Sequence, residues 1–257
     1  MKRVRQFFSR YRSGLQRVGA VLLALAVWQG LAMGVGQQLL VPSPLSVVER
    51  LGGIWQEADF WGTVWFTFRK IVAGFLLGLG FGLGLGALAG RFPLFEILFR
   101  PWATMIKSIP VASFIILALI LFSSRNLAVL ISFLIVLPVL YTNLLSGIRA
   151  ANPQLLEMAR VFRVPVSRQL RGIYLPAVLP YFRSAVSLGL GLCWKSGAAA
   201  EVIGLPAGSI GEALYTAKVY FQTGDLFAWT AVIVTVSVIF ERLFLRLVDA
   251  AVRKAGS

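Results

Sequence analysis

The sequence predicts an all-α protein, a polytopic transmembrane helical bundle of about six spans, on three observations. Of its 257 residues 58% are hydrophobic and only 14% charged, with a mean hydropathy of +0.81, more apolar surface than a water-soluble domain can bury. Apolar runs long enough to cross a bilayer recur along the chain. The basic residues are segregated into alternate connecting segments, as in membrane proteins with a fixed orientation.

The runs read as spans are roughly 18–36, 64–90, 102–122, 127–148, 177–197 and 226–247. Lys2, Arg3, Arg5, Arg10, Arg12 and Arg17 precede the first without any acid. Together with "ALAVWQG" they resemble a signal peptide with a loose cleavage site. The apolar stretch continues to Val35, so an uncleaved span behind a basic tail, 1–17, is the preferred reading. In 37–63, "VPSPLSVVER" ends that span. Residues 44–58 are expected to form a short helix near the interface, a packing cap with Leu45, Val48, Leu51 and Trp55 on one side.

The second span contains Ile71–Gly90 and the fourth Leu127–Ile148, both without a charge. Gly74, Gly78, Gly82, Gly86 and Gly90 recur every fourth residue. Such a bare ridge lets another helix approach closely, although the sequence does not name that helix and glycine is common in such spans. The third span is cleanly apolar only over Val111–Phe122, and Pro110 is expected to break its helix. The sixth is cleanly apolar over Leu226–Phe240, after which Arg242 and Arg246 can snorkel.

Lys195 and Glu201 lie near the outer end of the fifth span. Charges at membrane depth are expensive and invite a place on a solute path. Their separation of six residues turns them about 240° apart on a helix, against a same-face pair. The alternative has Lys195 snorkelling and Glu201 capping the loop "GLPAGSIGEAL". Arg69 and Lys70 are equally open.

With the N-terminus inside, the inner segments hold 19 of the 25 basic residues and four of the ten acids (Glu96, Glu157, Glu241, Asp249). The outer segments are neutral. The basicity therefore reads as topology rather than nucleic-acid binding, with both termini cytoplasmic.

The residue inventory excludes several chemistries. There is no histidine and one cysteine, Cys193, so no metal centre or disulfide is expected. No P-loop occurs, and neither does a G-x-S-x-G elbow nor an H-E-x-x-H motif. The chain is therefore expected not to be an enzyme. Intramembrane acids are too few for a proton relay, which counts against an ion-coupled secondary transporter. A non-catalytic membrane scaffold remains the other alternative.

One polar segment, 149–176, interrupts the apolar pattern between the fourth and fifth spans. Asn152-Pro153 is a helix start. That helix is expected to run to about Arg163, because Pro165 disfavours helical geometry at Val164. A second short helix is expected from Pro165 through Arg171, with Pro176 opening the fifth span. Leu155, Leu156, Ala159 and Phe162 make an apolar stripe on the first, with Glu157 and Arg160 beside it. Such a helix suits either lipid or a groove on a soluble partner.

This segment resembles the cytoplasmic E-A-A loop of binding-protein-dependent ABC importer permeases. Glu157-Met158-Ala159 is followed by three residues, Arg163, nine residues and Ile173-Tyr174-Leu175-Pro176, which is the family's spacing. Met158 replaces an alanine, and Arg163 replaces the glycine that serves the family's bend. "LVPSPLSVVERL", the arginine of "TFRKIVAGF", "RPWATMIKSIP" and "WKSGAAAEVIG" are similar to the nitrate/sulfonate/taurine branch.

The resemblance implies a type I permease fold in a bacterial plasma membrane. It also implies partners: a second permease subunit, identical or paralogous, a separate ATP-binding subunit and an extracytoplasmic substrate-binding protein. ATP is used by the partner, and no cofactor is bound by this chain. Residues 153–163 become a coupling helix, with Glu157 and Arg160 as polar contacts and Leu155, Leu156 and Phe162 as the apolar anchor. The implied solute is small, of the sulfonate, nitrate or vitamin-precursor type.

Overall fold

The computed structural model describes residues 2–36 and 41–256. The side chains of the basic tail up to residue 15, and of 17, 18, 35 and 251–256, lie outside this description, as do residues 37–40 of the first outer segment. All elements among the described residues are helical: α1 (Lys2–Val35), α2 (Pro44–Ile54), α3 (Phe60–Arg91), α4 (Pro93–Ser108), α5 (Val111–Leu121) and α6 (Ser124–Arg149). They continue with α7 (Pro153–Val161), α8 (Val166–Gln169), a π-helical turn (Leu170–Tyr174), α9 (Leu175–Gly204), α10 (Ile210–Val219) and α11 (Thr223–Gly256).

The six predicted apolar runs all fall on helices. Phe60–Arg91, Ser124–Arg149 and Val166–Gly204 are each long and apolar enough to cross a membrane. The third run is α4 and α5, bent by 105° at Ile109-Pro110, where proline cannot continue the hydrogen-bond ladder. The first and last runs lie on α1 and α11. Exposed Trp61 and Trp65 near the start of α3 suit the amphipathic boundary of a bilayer.

The chain divides into two compact units. The first comprises Met1–Phe60 and Leu214–Thr230. In it Arg50 bridges Asp225 and Glu57, Trp28 stacks on Phe227, and Phe60 stacks on Trp229. The Asp225 hydrogen bond is the main reason that the Arg50 pKa is raised. Helix α2 buries Val47 and Ile54, whereas Leu45, Val48 and Trp55 are exposed. The predicted apolar stripe is therefore the outward face, and the cap packs through its other side.

The second unit, Trp61–Ala213 with Ala231–Ser257, contains the main core. Ile71, Phe75, Val136, Leu140, Val186, Leu190 and Trp194 form it, with half-buried Phe240 and Phe244 packed against them. Phe240 meets Phe68 and Phe75 edge-on, with ring centroids 5.4 and 6.4 Å apart.

The glycine ridge of α3 has a named partner. A Cβ at Gly74, Gly78, Gly82, Gly86 or Gly90 would strike Ser132, Val136, Leu140, Leu144 or Ile148, respectively, all on α6. Gly80 and Gly84 meet nothing within 4 Å. The five in register thus form one seam against every fourth residue of α6, held by close packing. Gly147 repeats the device toward α9, where a Cβ would lie 2.9 Å from Val178 Cα. These contacts place the ends of α3, α6 and α9 around the polar segment.

Candidate functional site

Helix α7 starts where its sequence requires. The Asn152 side chain accepts a 2.9 Å hydrogen bond from Gln154 N–H, and Pro153 occupies the first turn. The preceding turn is anchored by Arg149, which pairs with Glu96 of α4, and by buried Ala151.

The C-terminal end corrects one expectation. Helix α7 stops at Val161 rather than Arg163. Val164 N–H bonds to Ala159 O at 2.8 Å and Arg163 N–H to Arg160 O at 3.1 Å, the paired bonds of a Schellman motif. That motif needs a left-handed residue, and Arg163 supplies it with φ 51°. The bend is thus made at Arg163 itself, where the resembled pattern has glycine, with Pro165 extended behind it. The Gln169 amide closes the far side, donating to Val164 O at 2.7 Å.

The second short helix also differs from expectation. Helix α8 starts behind Pro165 and Pro176 stands in the first turn of α9, as expected, but from Val166 the chain is helical without interruption to Gly204, so the short helix is not separate from the fifth span. Leu175 N–H bonds to Leu170 O, five residues back. This widened turn lies immediately before Pro176, where an α-helix would lose a donor and meet the proline ring.

The predicted apolar stripe splits in two. Ala159 is buried and Leu156 half-buried, toward the protein, whereas Leu155 and Phe162 are exposed. The outward apolar face is completed by Met158 and Val161, neither of which belongs to the predicted stripe. Spacing from Leu155 to Met158 and Phe162, three and seven residues on, is the signal that identifies this face. Glu157 and Arg160 are exposed beside it, as is Arg163. Ile173 and Leu175 are half-buried, whereas Pro176 is exposed. The product is a short, doubly capped helix offering an apolar patch of about two turns flanked by an acid and bases.

Lys195 and Glu201 are not brought together, since α9 is unbroken between them; Lys195 is exposed and Glu201 has 0% exposure. Glu201 Oε2 accepts 2.7 Å from the Thr67 hydroxyl and 3.4 Å from Gly211 N–H. Thr67 Oγ1 in turn accepts 3.0 Å from Ile210 N–H. Ser209 Oγ takes Glu212 N–H at 3.0 Å, and Glu212 reaches back to Gly208 N–H at 2.7 Å. The first three N–H groups of α10, which no helix satisfies internally, therefore all have acceptors. The carboxylate also stands at the favourable end of the helix dipole. This matches the capping alternative for Glu201. Lys70 donates to Asn126 Oδ1 at 2.6 Å. Arg69 and Lys70 both stand over the Phe66 ring, 5.3 and 5.8 Å from its centroid.

Comparisons with known proteins agree with this architecture. Residues 78–254 match the family described as the binding-protein-dependent transport system inner membrane component. A putative aliphatic sulfonates transport permease protein of Bacillus subtilis (strain 168) is 29% identical over 90% of this chain and 83% of its own length. The taurine transport system permease protein of Escherichia coli (strain K12) is 22% identical, over 87% and 84%. The nitrate import permease protein of a Synechocystis strain is 25% identical, over 72% and 70%.

Proposed function

Since the chain belongs to the binding-protein-dependent transport system inner membrane components, as an ABC importer permease of the nitrate/sulfonate/taurine branch, we propose that it forms the solute path of an ATP-driven importer. The complex holds two permease subunits, two ATP-binding subunits and an extracytoplasmic binding protein that delivers the solute. Both termini face the cytoplasm, as the charge asymmetry indicates.

The observation that carries this reading is helix α7. It presents Leu155, Met158, Val161 and Phe162 outward, between two helices long enough to cross the membrane, and its ends are locked by Asn152 and the Arg163 bend. An apolar anchor ringed by Glu157 and Arg160 suits a cleft on a soluble partner. Closure of the ATP-binding subunits then moves α7 as a rigid piece, and the attached spans tilt with it.

The solute is a small molecule bearing an anionic oxygen group, as do the sulfonates, taurine and nitrate for which three of the relatives are named. Lys195 faces the path, where its ammonium attracts that group. Glu201, having no exposed surface, serves the path by holding α10 in place. The test is uptake by the complete transporter in proteoliposomes. Glu157→Lys and Phe162→Asp are expected to insert and fold normally yet abolish ATP-driven uptake and retention of the ATP-binding subunit. Full transport by both variants would exclude the coupling role of α7.

A further inference from the structure

An open groove of about 760 Å³ lies where the polar segment meets the ends of α3 and α6. Its floor is apolar, made by Ala87 of α3, Ile148 of α6, and Leu175 and Val178 of α9. Its rim carries Arg91, the last residue of α3, and Arg171 in the π-helical turn, with Tyr174 beside them. Both arginines are exposed. No acidic residue lines the groove, and no carboxylate pairs with either arginine among the described residues. Exposed Val166 and Leu170 also line the groove, and exposed Leu88 and Phe92 flank its α3 residues in the chain.

Two guanidinium groups without a carboxylate partner, above an apolar floor and at the ends of membrane-crossing helices, match one ligand chemistry. A phosphate satisfies the arginines, and a hydrocarbon chain attached to it covers the floor. A free anion would leave the floor bare. Phosphatidylcholine, a zwitterionic lipid, also carries a phosphate but brings a trimethylammonium against the two arginines, so a headgroup with net negative charge complements the rim better.

We propose that this groove is a binding site for an anionic phospholipid, whose phosphate is shared by Arg91 and Arg171. The lipid ties the π-helical turn to the end of α3. That turn joins the α7 bend to α9, so an occupied groove stiffens the lever through which α7 moves the spans. This consequence rests on the coupling role of α7; the binding does not.

The test uses the full chain, purified and titrated with phosphatidylglycerol or phosphatidylcholine of identical acyl chains, and bound lipid read by native mass spectrometry. Phosphatidylglycerol is expected to bind in preference. Arg91→Gln or Arg171→Gln lowers its affinity about fivefold each, and the double variant roughly 25-fold. Arg168→Gln, an exposed arginine of the same segment outside the groove, leaves binding unchanged. An equal loss with Arg168→Gln would reduce the effect to general surface charge and overturn the site. So would displacement of phosphatidylglycerol by equimolar inorganic phosphate, which marks a free-anion site. Displacement by the ATP-binding subunit would make the groove a protein-docking surface and overturn the lipid site equally. Glu157→Lys retains phosphatidylglycerol even where it loses the ATP-binding subunit, so failure of the lipid site and failure of the coupling reading register separately.

Discussion

The backbone N–H of Val164 bonds to the carbonyl of Ala159 at 2.8 Å, and closing that loop holds Arg163 at φ 51°. A left-handed conformation costs an L-residue with a Cβ roughly 1–2 kcal/mol and costs glycine almost nothing. Arg163→Gly is therefore expected to stabilise the protein by about 1 kcal/mol. Arg163→Val, β-branched at the same φ, is expected to destabilise it. Thermal unfolding of both variants in detergent checks the sign. Because Arg163 is exposed, neither change should disturb the core.

The α3–α6 seam yields a matched pair of substitutions. A methyl at Gly82 would lie 2.6 Å from Leu140 Cβ and 2.9 Å from Leu137 O, while Gly84 faces open space. Gly82→Ala is expected to cost about 1–3 kcal/mol through overpacking. Gly84→Ala is expected to be neutral or to gain up to about 1 kcal/mol from helix propensity. Equal melting temperatures for the two would contradict the seam.

At α10, Thr67→Val removes both a donor to Glu201 and an acceptor for Ile210 N–H. Leaving these buried groups unmatched is expected to cost about 1–3 kcal/mol. Glu201→Gln keeps an oxygen able to accept from Thr67 and Gly211, so most stability and uptake should survive it, whereas Glu201→Leu should lose both. Uptake abolished by Glu201→Gln at unchanged stability would instead place the carboxylate's charge on the solute path.

Lys195 provides the complementary measurement. Lys195→Gln should leave the stability within about 0.5 kcal/mol of the parent, as surface changes usually do, while weakening solute uptake. The effect should shrink as ionic strength rises, because salt screens an exposed charge.

The helical architecture is legible in the sequence because hydropathy and proline act locally. The six runs fall on helices, and Pro110 breaks the third where proline must. The five glycines announce a seam by their register, but its partner depends on how α6 lies alongside α3. Asn152-Pro153 marks the start of α7 for the same local reason. Its end falls two residues short of the expected Arg163 because a Schellman motif is selected by backbone bonds from Arg163 and Val164 that no side-chain pattern announces in an arginine. Pro176 has the sequence marks of a helix start, and the π-helical turn that absorbs it leaves no compositional mark. The stripe on α7 splits because Ala159, small enough to sit against the protein, draws Leu156 inward and leaves Met158 and Val161 outside. Glu201 and Thr67 are 134 residues apart in sequence, so their shared role at α10 is visible only in three dimensions.

The central claim, that α7 is the element gripped by the ATP-binding subunit, has a direct measurement. Cys193 is buried, so Gln154→Cys, at an exposed position of α7 that carries none of the proposed contacts, gives this chain a single accessible thiol beside Met158. In the assembled transporter a short bifunctional reagent is expected to join position 154 to the ATP-binding subunit, with a yield that changes when ATP is added. The same reagent at Leu45→Cys, on the exposed face of α2, should give no such product. No crosslink at 154, or one at Leu45→Cys with the same ATP dependence, would contradict the account.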